Sequence, residues 1–239
     1  KNNKAISVIS LDEKTTLKVR LLTWIDGRVW SAVNPQLNDL RFSLGEKAAE
    51  ITKALQGFYH PKAERIFDWD IAQGLWTKKH VHLFKNEEKE LVYYFVNKFE
   101  NIQTKYQKLR KSVVHNDAND NNILVSEDLI DPKVSAIIDF GDAVKTQTIN
   151  DLAVACAYAI MDKNDPLNAA LPIIKGYHNT FALEEKELEF LYLLIAMRLV
   201  ISVTKSAINK IENPENEYLL ISEKPAWNLL KKWQTVSED

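Results

Sequence analysis

Two short stretches hold the residues whose types and spacing could do chemistry. His115-Asn116-Asp117-Ala118-Asn119-Asp120-Asn121-Asn122 fits the pattern H-x-D-x-x-x-x-N, and further on the apolar run Ala136-Ile137-Ile138 delivers a second acid, Asp139, followed by Phe140-Gly141-Asp142. Transfer of a γ-phosphoryl group needs little covalent help, so an enzyme supplies position and charge compensation: a carboxylate facing the acceptor hydroxyl, and oxygen ligands for magnesium. Asp117 is expected in the first role. Magnesium prefers hard oxygen ligands and is usually held by one or two carboxylates with phosphate oxygens and waters; Asn122 and Asp139 suit that role. Asp and Asn also crowd into ordinary turns, because their side chains bond local backbone. What separates this pair of stretches from a loop is the internal spacing together with an apolar run beside each half.

The elements that must position these groups are legible nearby. Ile123-Leu124-Val125 and Ala136-Ile137-Ile138 read as short buried strands. The polar linker from Ser126 to Ser135, with Asp131-Pro132 inside it, can close them into a hairpin that brings Asn122 near Asp139. His115 reads as a structural support of the loop, and Asp142 as either a substrate-side carboxylate or a cap for a following helix. Upstream, Ala5 to Leu11 and Thr16 to Trp24 alternate around Asp12-Glu13-Lys14, a β-hairpin signal. Leu44, Ala48, Ile51, Leu55 and Phe58 recur at helical spacing before His60-Pro61, and Leu91, Phe95, Phe99, Ile102, Tyr106 and Leu109 form a second series leading directly into the motif loop. Further helices are expected near 67–84, 149–161, 166–180, 184–211 and 222–236.

With these motifs in place, the sequence resembles the aminoglycoside phosphotransferase and choline kinase-like family within the protein-kinase-like fold. Val113 to Asp120, Ile138 to Asp142, Gly176-Tyr177-His178 and Tyr218 to Trp227 look more specifically like hydroxylysine-kinase relatives, and similar domains open large fusion proteins that carry a class III aminotransferase downstream. The resemblance runs over nearly the whole chain. It implies an α+β, mostly α fold: a kinase-like carboxy-terminal lobe over 27–239, and a remnant of the amino-terminal lobe, a β-hairpin and hinge, over 1–26. It further implies that Lys18 to Thr23 enter the hinge, that backbone groups of Thr23 and Ile25 face the base of ATP or GTP, and that Leu124 and Ile138 pack beneath it. Ordinary core is the other reading of Leu124 and Ile138.

One departure from the family pattern matters. The six glycines, Gly27, Gly45, Gly57, Gly74, Gly141 and Gly176, form no Gly-rich phosphate loop, and only about twenty residues precede the hinge, too few for the strand lysine and helical glutamate that orient the phosphates in such kinases. The expectation is therefore a fragment of a longer polypeptide, weakly active or inactive alone. Its native context could include a covalently linked aminotransferase domain. The rival reading is a non-catalytic nucleotide-binding or docking module associated with an aminotransferase.

Composition narrows the rest. At 239 residues with 46% hydrophobic and 27% charged, the chain can bury a sizeable core. A formal charge of −2, with 31 basic residues among 33 acidic ones, leaves no footprint for nucleic acid. Cys156, the single cysteine, lies in the apolar run Leu152 to Met161, so burial and a reducing compartment are expected. The apolar stretch Leu191 to Val203 contains Arg198 and is shorter than the roughly twenty residues of a membrane span. A cytoplasmic protein acting on a small molecule, away from membranes, is the reading.

The acceptor is expected to be a small amino alcohol or hydroxylated amino acid, a step that rests on the resemblance. Arg198 lies inside an apolar helical run, where an unpaired guanidinium is costly to bury. It must meet an anion, either Asp151 or another carboxylate of the chain, or a substrate carboxylate that its fork geometry suits. Trp69, Asp70, Tyr177 and His178 could shape a pocket for an amino group; taken singly, each reads as packing.

Overall fold

A computed structural model describes residues 6–216 and 221–236. The fold is α+β and mostly α, as expected. Strands β1 (Ser7–Ser10) and β2 (Thr16–Val19) form an antiparallel hairpin with Ser7 opposite Val19. Its turn is held by Asp12, whose Oδ1 accepts from the N–H groups of Lys14 and Thr15. Val8, Ile9, Leu17 and Val19 of this hairpin all remain exposed. An extended segment then leads to β3 (Arg28–Val29), which pairs antiparallel with β5 (Ile123–Val125); β5 pairs in turn with β6 (Val134–Ile137), Ile123 opposite Ile137. Gly27 enters this sheet so close to Val125 that a Cβ would come 2.8 Å from its carbonyl oxygen.

A third small sheet was not anticipated. β4 (Lys111–Val114) and β7 (Val144–Gln147) pair antiparallel and flank the two halves of the motif, so the helix before the motif does not run straight into it. Lys111-Ser112-Val113-Val114 is too short to announce a strand; its partner, 30 residues on at the near end, completes the hydrogen bonding (Val114 opposite Val144).

The helices are α1 (Asn38–Ala54), α2 (Asn86–Tyr106), α3 (Ile149–Ala159), α4 (Pro166–Thr180), α5 (Glu185–Glu212) and α6 (Glu223–Gln234). They match the expected segments closely, although Tyr218, Leu219 and Leu220 of the last resemblance motif lie outside the described residues. α3 is buried along its whole length, Cys156 included. α5 is the central helix, packed on α2, α3 and α6. It is long and apolar enough by length and composition to cross a membrane, yet 78% of its most apolar window is buried within the protein.

One correction concerns the helical part. The helix expected near 67–84 is a run of 3-10 turns, Ile71–Leu83, entered through Asp70, whose carboxylate accepts from Ala72 N–H. Ile71, Gly74 and Thr77 are its buried residues in the first two turns, recurring every third position as a 3-10 turn requires. Gly74 presses against Met197 and Ile201 of α5. Gly176 serves the packing of two helices. Together with Gly45 it lets α1 and α4 touch backbone to backbone: a Cβ on Gly176 would overlap the Phe42 carbonyl, and one on Gly45 the Ile173 carbonyl. The Gly176-Tyr177-His178 motif is thus a helix-packing feature.

Candidate active site

The loop between β4 and β5 folds on its own side chains. Asn119 Oδ1 accepts from the N–H groups of Asn121 and Asn122, at 2.9 and 3.1 Å, which makes the tight turn that short amides favour. Asn122 Nδ2 donates to Asp117 twice, to its carbonyl at 2.9 Å and to its carboxylate Oδ2 at 2.8 Å. Asn119 Nδ2 adds a third bond, to Oδ2 at 3.1 Å. Because the Asn122 nitrogen faces Asp117, its Oδ1 is the atom left to face outward.

The second half of the motif is brought in by backbone. Ile138 N–H donates to the Asn122 carbonyl at 2.9 Å, extending the β5–β6 pairing by one step and setting Asp139 beside Asn122. Asp139 has left-handed backbone, φ 67°, and its Oδ1 accepts from Gly141 N–H at 3.0 Å. His115 ties both halves together. Its Nδ1 accepts from Asp117 N–H at 3.2 Å, so the proton belongs on Nε2, which donates to the Ile138 carbonyl at 3.0 Å. The ring also meets Phe140 edge-on, at 4.5 Å between centroids.

Beneath the loop lies Asp151, in the first turn of α3. It is fully enclosed, and one oxygen accepts from Asn116 N–H at 2.9 Å while the other accepts from the Thr52 hydroxyl at 3.3 Å. Tyr177 OH donates to Thr52 in turn, at 2.9 Å. A buried relay therefore runs from α4 through α1 and α3 to the loop. Burial pushes the Asp151 carboxyl above its ordinary value, against the pull of the Asn116 N–H.

Arg198 does not pair with Asp151, the first partner that sequence suggested. Its Nη2 lies 3.2 Å from Asp117 Oδ1 and its Nη1 donates to the Trp69 carbonyl at 2.6 Å. The guanidinium is held over the rings of Trp69 and Tyr158, 4.7 and 5.4 Å from their centroids. Burial raises the Asp117 carboxyl above its ordinary value; Arg198 is the largest influence opposing this, and Asp142 adds to the rise. Asp142 follows the same pattern, raised by burial and opposed by Arg198 and Arg65.

These groups open onto one cavity of about 230 Å³, lined among others by Trp69, Asp117, Asp120, Asp142, Tyr158 and Arg198. α5 contributes a polar face to it, Arg198, Ser202, Lys205, Ser206 and Asn209, at the three- and four-residue spacing of one side of a helix. That stripe in an otherwise apolar helix is a signal the sequence offered beyond Arg198 alone. Asp120 and Tyr158 were also missed; nothing local marks them as cavity residues.

The other expected residues fall as follows. Asp142 caps no helix: strand β7 comes next, and its side chain lines the cavity. Leu124 is buried between Val29 and Ala136 in the sheet, while Ile138 is 37% exposed at the sheet's end. Thr23 and Ile25 lie in the exposed segment that leads to β3. Tyr177 is core, the start of the relay, and His178 accepts from Leu183 N–H beside a separate depression with Lys175 and Leu188, so neither reaches the Asp117 cavity. Asp70 is likewise structural, accepting from the Thr146 hydroxyl at 2.7 Å.

The donor set fits magnesium shared with a nucleotide. Asp139 and Asn122 offer one carboxylate and one amide oxygen, both hard ligands, and among the described residues no group of three His, Cys, Asp or Glu side chains forms a site that would enclose a cation by itself.

Comparison with known proteins agrees with this geometry. The chain is 30% identical to the hydroxylysine kinase of Mus musculus over 249 residues, 97% of this chain and 65% of that protein. It is also 30% identical to the hydroxylysine kinase of Xenopus laevis over 263 residues, 100% of this chain and 68% of that protein. The chain thus spans about two thirds of these relatives' length. Among solved structures it is similar in fold to a microcompartment-associated aminopropanol kinase, with TM-score 0.69 and 15% identity over 97% of this chain and 73% of that one. A choline/ethanolamine kinase family protein from Mesorhizobium loti gives TM-score 0.64 and 14% identity, covering 98% and 74%. These neighbours share a kinase-like fold. The sequence profile of the family described as "APH: Phosphotransferase enzyme family" matches residues 3–188, most of the length. With the H-x-D-x-x-x-x-N loop joined through backbone to Asp139, the chain belongs to the phosphotransferase enzyme family.

Proposed function

We propose that this chain is the phosphotransferase part of a longer small-molecule kinase, one that moves the γ-phosphoryl group of ATP or GTP to the hydroxyl of a small amino alcohol or hydroxylated amino acid. The observation that carries the reading is the pair of hydrogen bonds that Asn122 Nδ2 donates to Asp117, with the Ile138–Asn122 backbone hydrogen bond beside it, which links the acceptor-facing carboxylate to the Asp139 segment. Asp117 orients the acceptor hydroxyl and takes its proton as the oxygen attacks phosphorus. Asn119, Asn122 and Arg198 fix its two oxygens for that task.

Asn122 Oδ1 and the Asp139 carboxylate would hold magnesium, which neutralises charge on the β and γ phosphates when bound. Thr23 and Ile25 would meet the base with their backbone groups, above Leu124 and Ile138. The division at residue 26, with a hairpin remnant ahead of the helical lobe, belongs to this reading, as does a cytoplasmic setting consistent with the lone buried thiol of Cys156. The amine-bearing acceptor class is supported by the activities for which the similar proteins are named: hydroxylysine kinase, aminopropanol kinase and choline/ethanolamine kinase family.

The test is Asp117→Asn in a version extended to the full length of its relatives. Turnover of 5-hydroxylysine and amino alcohols is expected to vanish while nucleotide affinity stays within about twofold; surviving turnover ends the assignment of Asp117. The uncovered apolar hairpin Ser7–Val19 favours a second reading, a docking module associated with an aminotransferase. Under that reading the extended protein binds such a domain and turns over no acceptor.

A further inference from the structure

A depression of about 680 Å³ lies where the start of α1, the loop after α3 and helix α4 meet, and it shares no lining residue with the Asp117 cavity. Three cations line it: Arg41 of α1, Lys163 of the loop and Lys175 of α4. Among the described residues none of the three forms an ion pair, whereas Lys205 finds Asp68 and Arg110 finds Glu187. Two carboxylates share the lining, and neither neutralises the group. Asp165 is engaged at the start of α4, where it accepts from Asn168 N–H at 3.0 Å and from Asn168 Nδ2 at 2.5 Å. Asp162 is exposed and acts on Lys163 only from a distance. Burial, and after it the nearness of Arg41, hold the Lys163 ammonium below its ordinary value in spite of Asp162. Arg41 is pinned at its root. Its Nε is enclosed with no acceptor among the described residues, and its Nη1 reaches only the Asn38 amide oxygen, 3.4 Å away. The backbone of Lys163 is held from behind, its carbonyl accepting from Lys232 Nζ at 2.9 Å. Two half-buried like charges held side by side without an acid are costly. The cost is offset when an anion enters the depression.

We propose that this depression is a second binding site, for a phosphate group, with Arg41, Lys163 and Lys175 supplying the charge that receives it. A phosphate near neutral pH carries roughly −1.5 to −2, more than a single cation balances, and its oxygens match the fork of a guanidinium. Amide side chains complete the lining: Asn38, the first residue of α1, a helix whose start no side chain caps, with Asn164 and Asn168 opposite. The volume falls within the roughly 300–1,000 Å³ of small-molecule sites, so there is room for an organic phosphate as well as for the free ion. The chain as a whole carries −2, so it has no general attraction for anions and any binding here must be local.

The experiment is calorimetric titration of the chain with glycerol 3-phosphate, inorganic phosphate and glycerol, without magnesium and at one fixed ionic strength, paired with backbone-amide NMR spectra of the same mixtures. Wild type is expected to bind phosphate, to bind glycerol at least about tenfold more weakly, and to show phosphate-induced shifts at Asn38, Lys163 and Asn168. Lys163→Met keeps the carbonyl that Lys232 holds and removes the repulsion with Arg41. Its melting temperature is expected to hold or rise while phosphate affinity falls about tenfold or more, a split that a merely structural lysine would not produce. Tighter binding of glycerol 3-phosphate than of inorganic phosphate identifies an ester as the ligand and equal binding identifies the free ion; either supports the site. Unchanged phosphate binding by Lys163→Met overturns the proposal, as do phosphate-induced shifts confined to Asn122 and Gly141. The shift map of wild type decides the matter even if the variant fails to fold. Because the two cavities share no lining residue, loss of this site leaves the kinase reading standing, and absence of phosphoryl transfer leaves this site standing.

Discussion

Arg198 Nη2 stands 3.2 Å from Asp117 Oδ1, joining the middle of α5 to the motif loop across 81 positions of sequence. The guanidinium is 1% exposed and the carboxylate 20% exposed, so the pair is buried on one side and open to the cavity on the other. It holds the carboxylate in place and opposes the effect of burial on it.

Arg198→Met is expected to lower stability by roughly 1.5–3 kcal/mol, the range for a lost hydrogen bond to a charged group. Phosphoryl transfer in the extended protein is expected to fall much further than nucleotide affinity. Urea unfolding together with steady-state kinetics checks both. A variant with wild-type turnover removes Arg198 from any role in placing Asp117.

Asp139→Asn keeps the left-handed backbone that Asn tolerates and the acceptor for Gly141 N–H, so the apo melting temperature is expected to stay put. Thermal stabilisation by ATP is expected to lose its dependence on magnesium. Melting curves at fixed ATP across a magnesium titration read this directly, and an unchanged magnesium response contradicts the metal assignment.

Gly176→Ala forces a methyl onto the Phe42 carbonyl, where backbone rather than a flexible side chain must give way. Overpacking of this kind costs about 1–3 kcal/mol, occasionally more, and in a domain of this size each kcal/mol lowers Tm by roughly 2–4 °C. Differential scanning calorimetry measures the drop. Gly45→Ala, on the facing helix, is expected to behave alike.

Tyr177→Phe separates packing from substrate contact. Loss of the bond to Thr52 is expected to cost about 1 kcal/mol with KM for the acceptor unchanged. A large rise in KM would return Tyr177 to the substrate side.

Asp151 supplies a pH dependence. Its carboxyl is raised above the ordinary 3.8 by burial, so between pH 3.8 and the raised value the native state binds the proton that the unfolded chain has released. Its contribution is fully present below pH 3.8 and declines as pH climbs through the native value. Asp151→Asn removes this term. The difference in urea midpoint, wild type minus variant, is expected to fall as pH rises from about 4, and a difference that grows over that range refutes the sign.

Much of this site was legible because its parts are local. The strands flanking Ser126 to Ser135, the turn-forming Asn119 and the acid after Ile138 all lie in one hairpin and the loop that leads into it, where spacing and apolar pattern constrain geometry. The helical periods of α1, α2, α4 and α5 were legible for the same reason, since each buried face repeats along its own segment. Strands β4 and β7 were not, because each gains its hydrogen bonds only from the other. Nor was the 3-10 run at Ile71–Leu83, whose period is set by how closely Gly74 approaches α5.

By itself, then, the amino-acid order determined the acidic and amide groups of the motif, the hairpin that joins its halves and the faces each helix must bury, all matters of short-range stereochemistry and apolar period. Tertiary structure alone decided that Arg198 meets Asp117 while Asp151 braces the loop, that Tyr177 sits in the core, and that Asp120 lines the same cavity as Asp117. The reason is electrostatic: a buried charge takes whichever partner packing places within reach, and that choice is made by helices far apart in sequence.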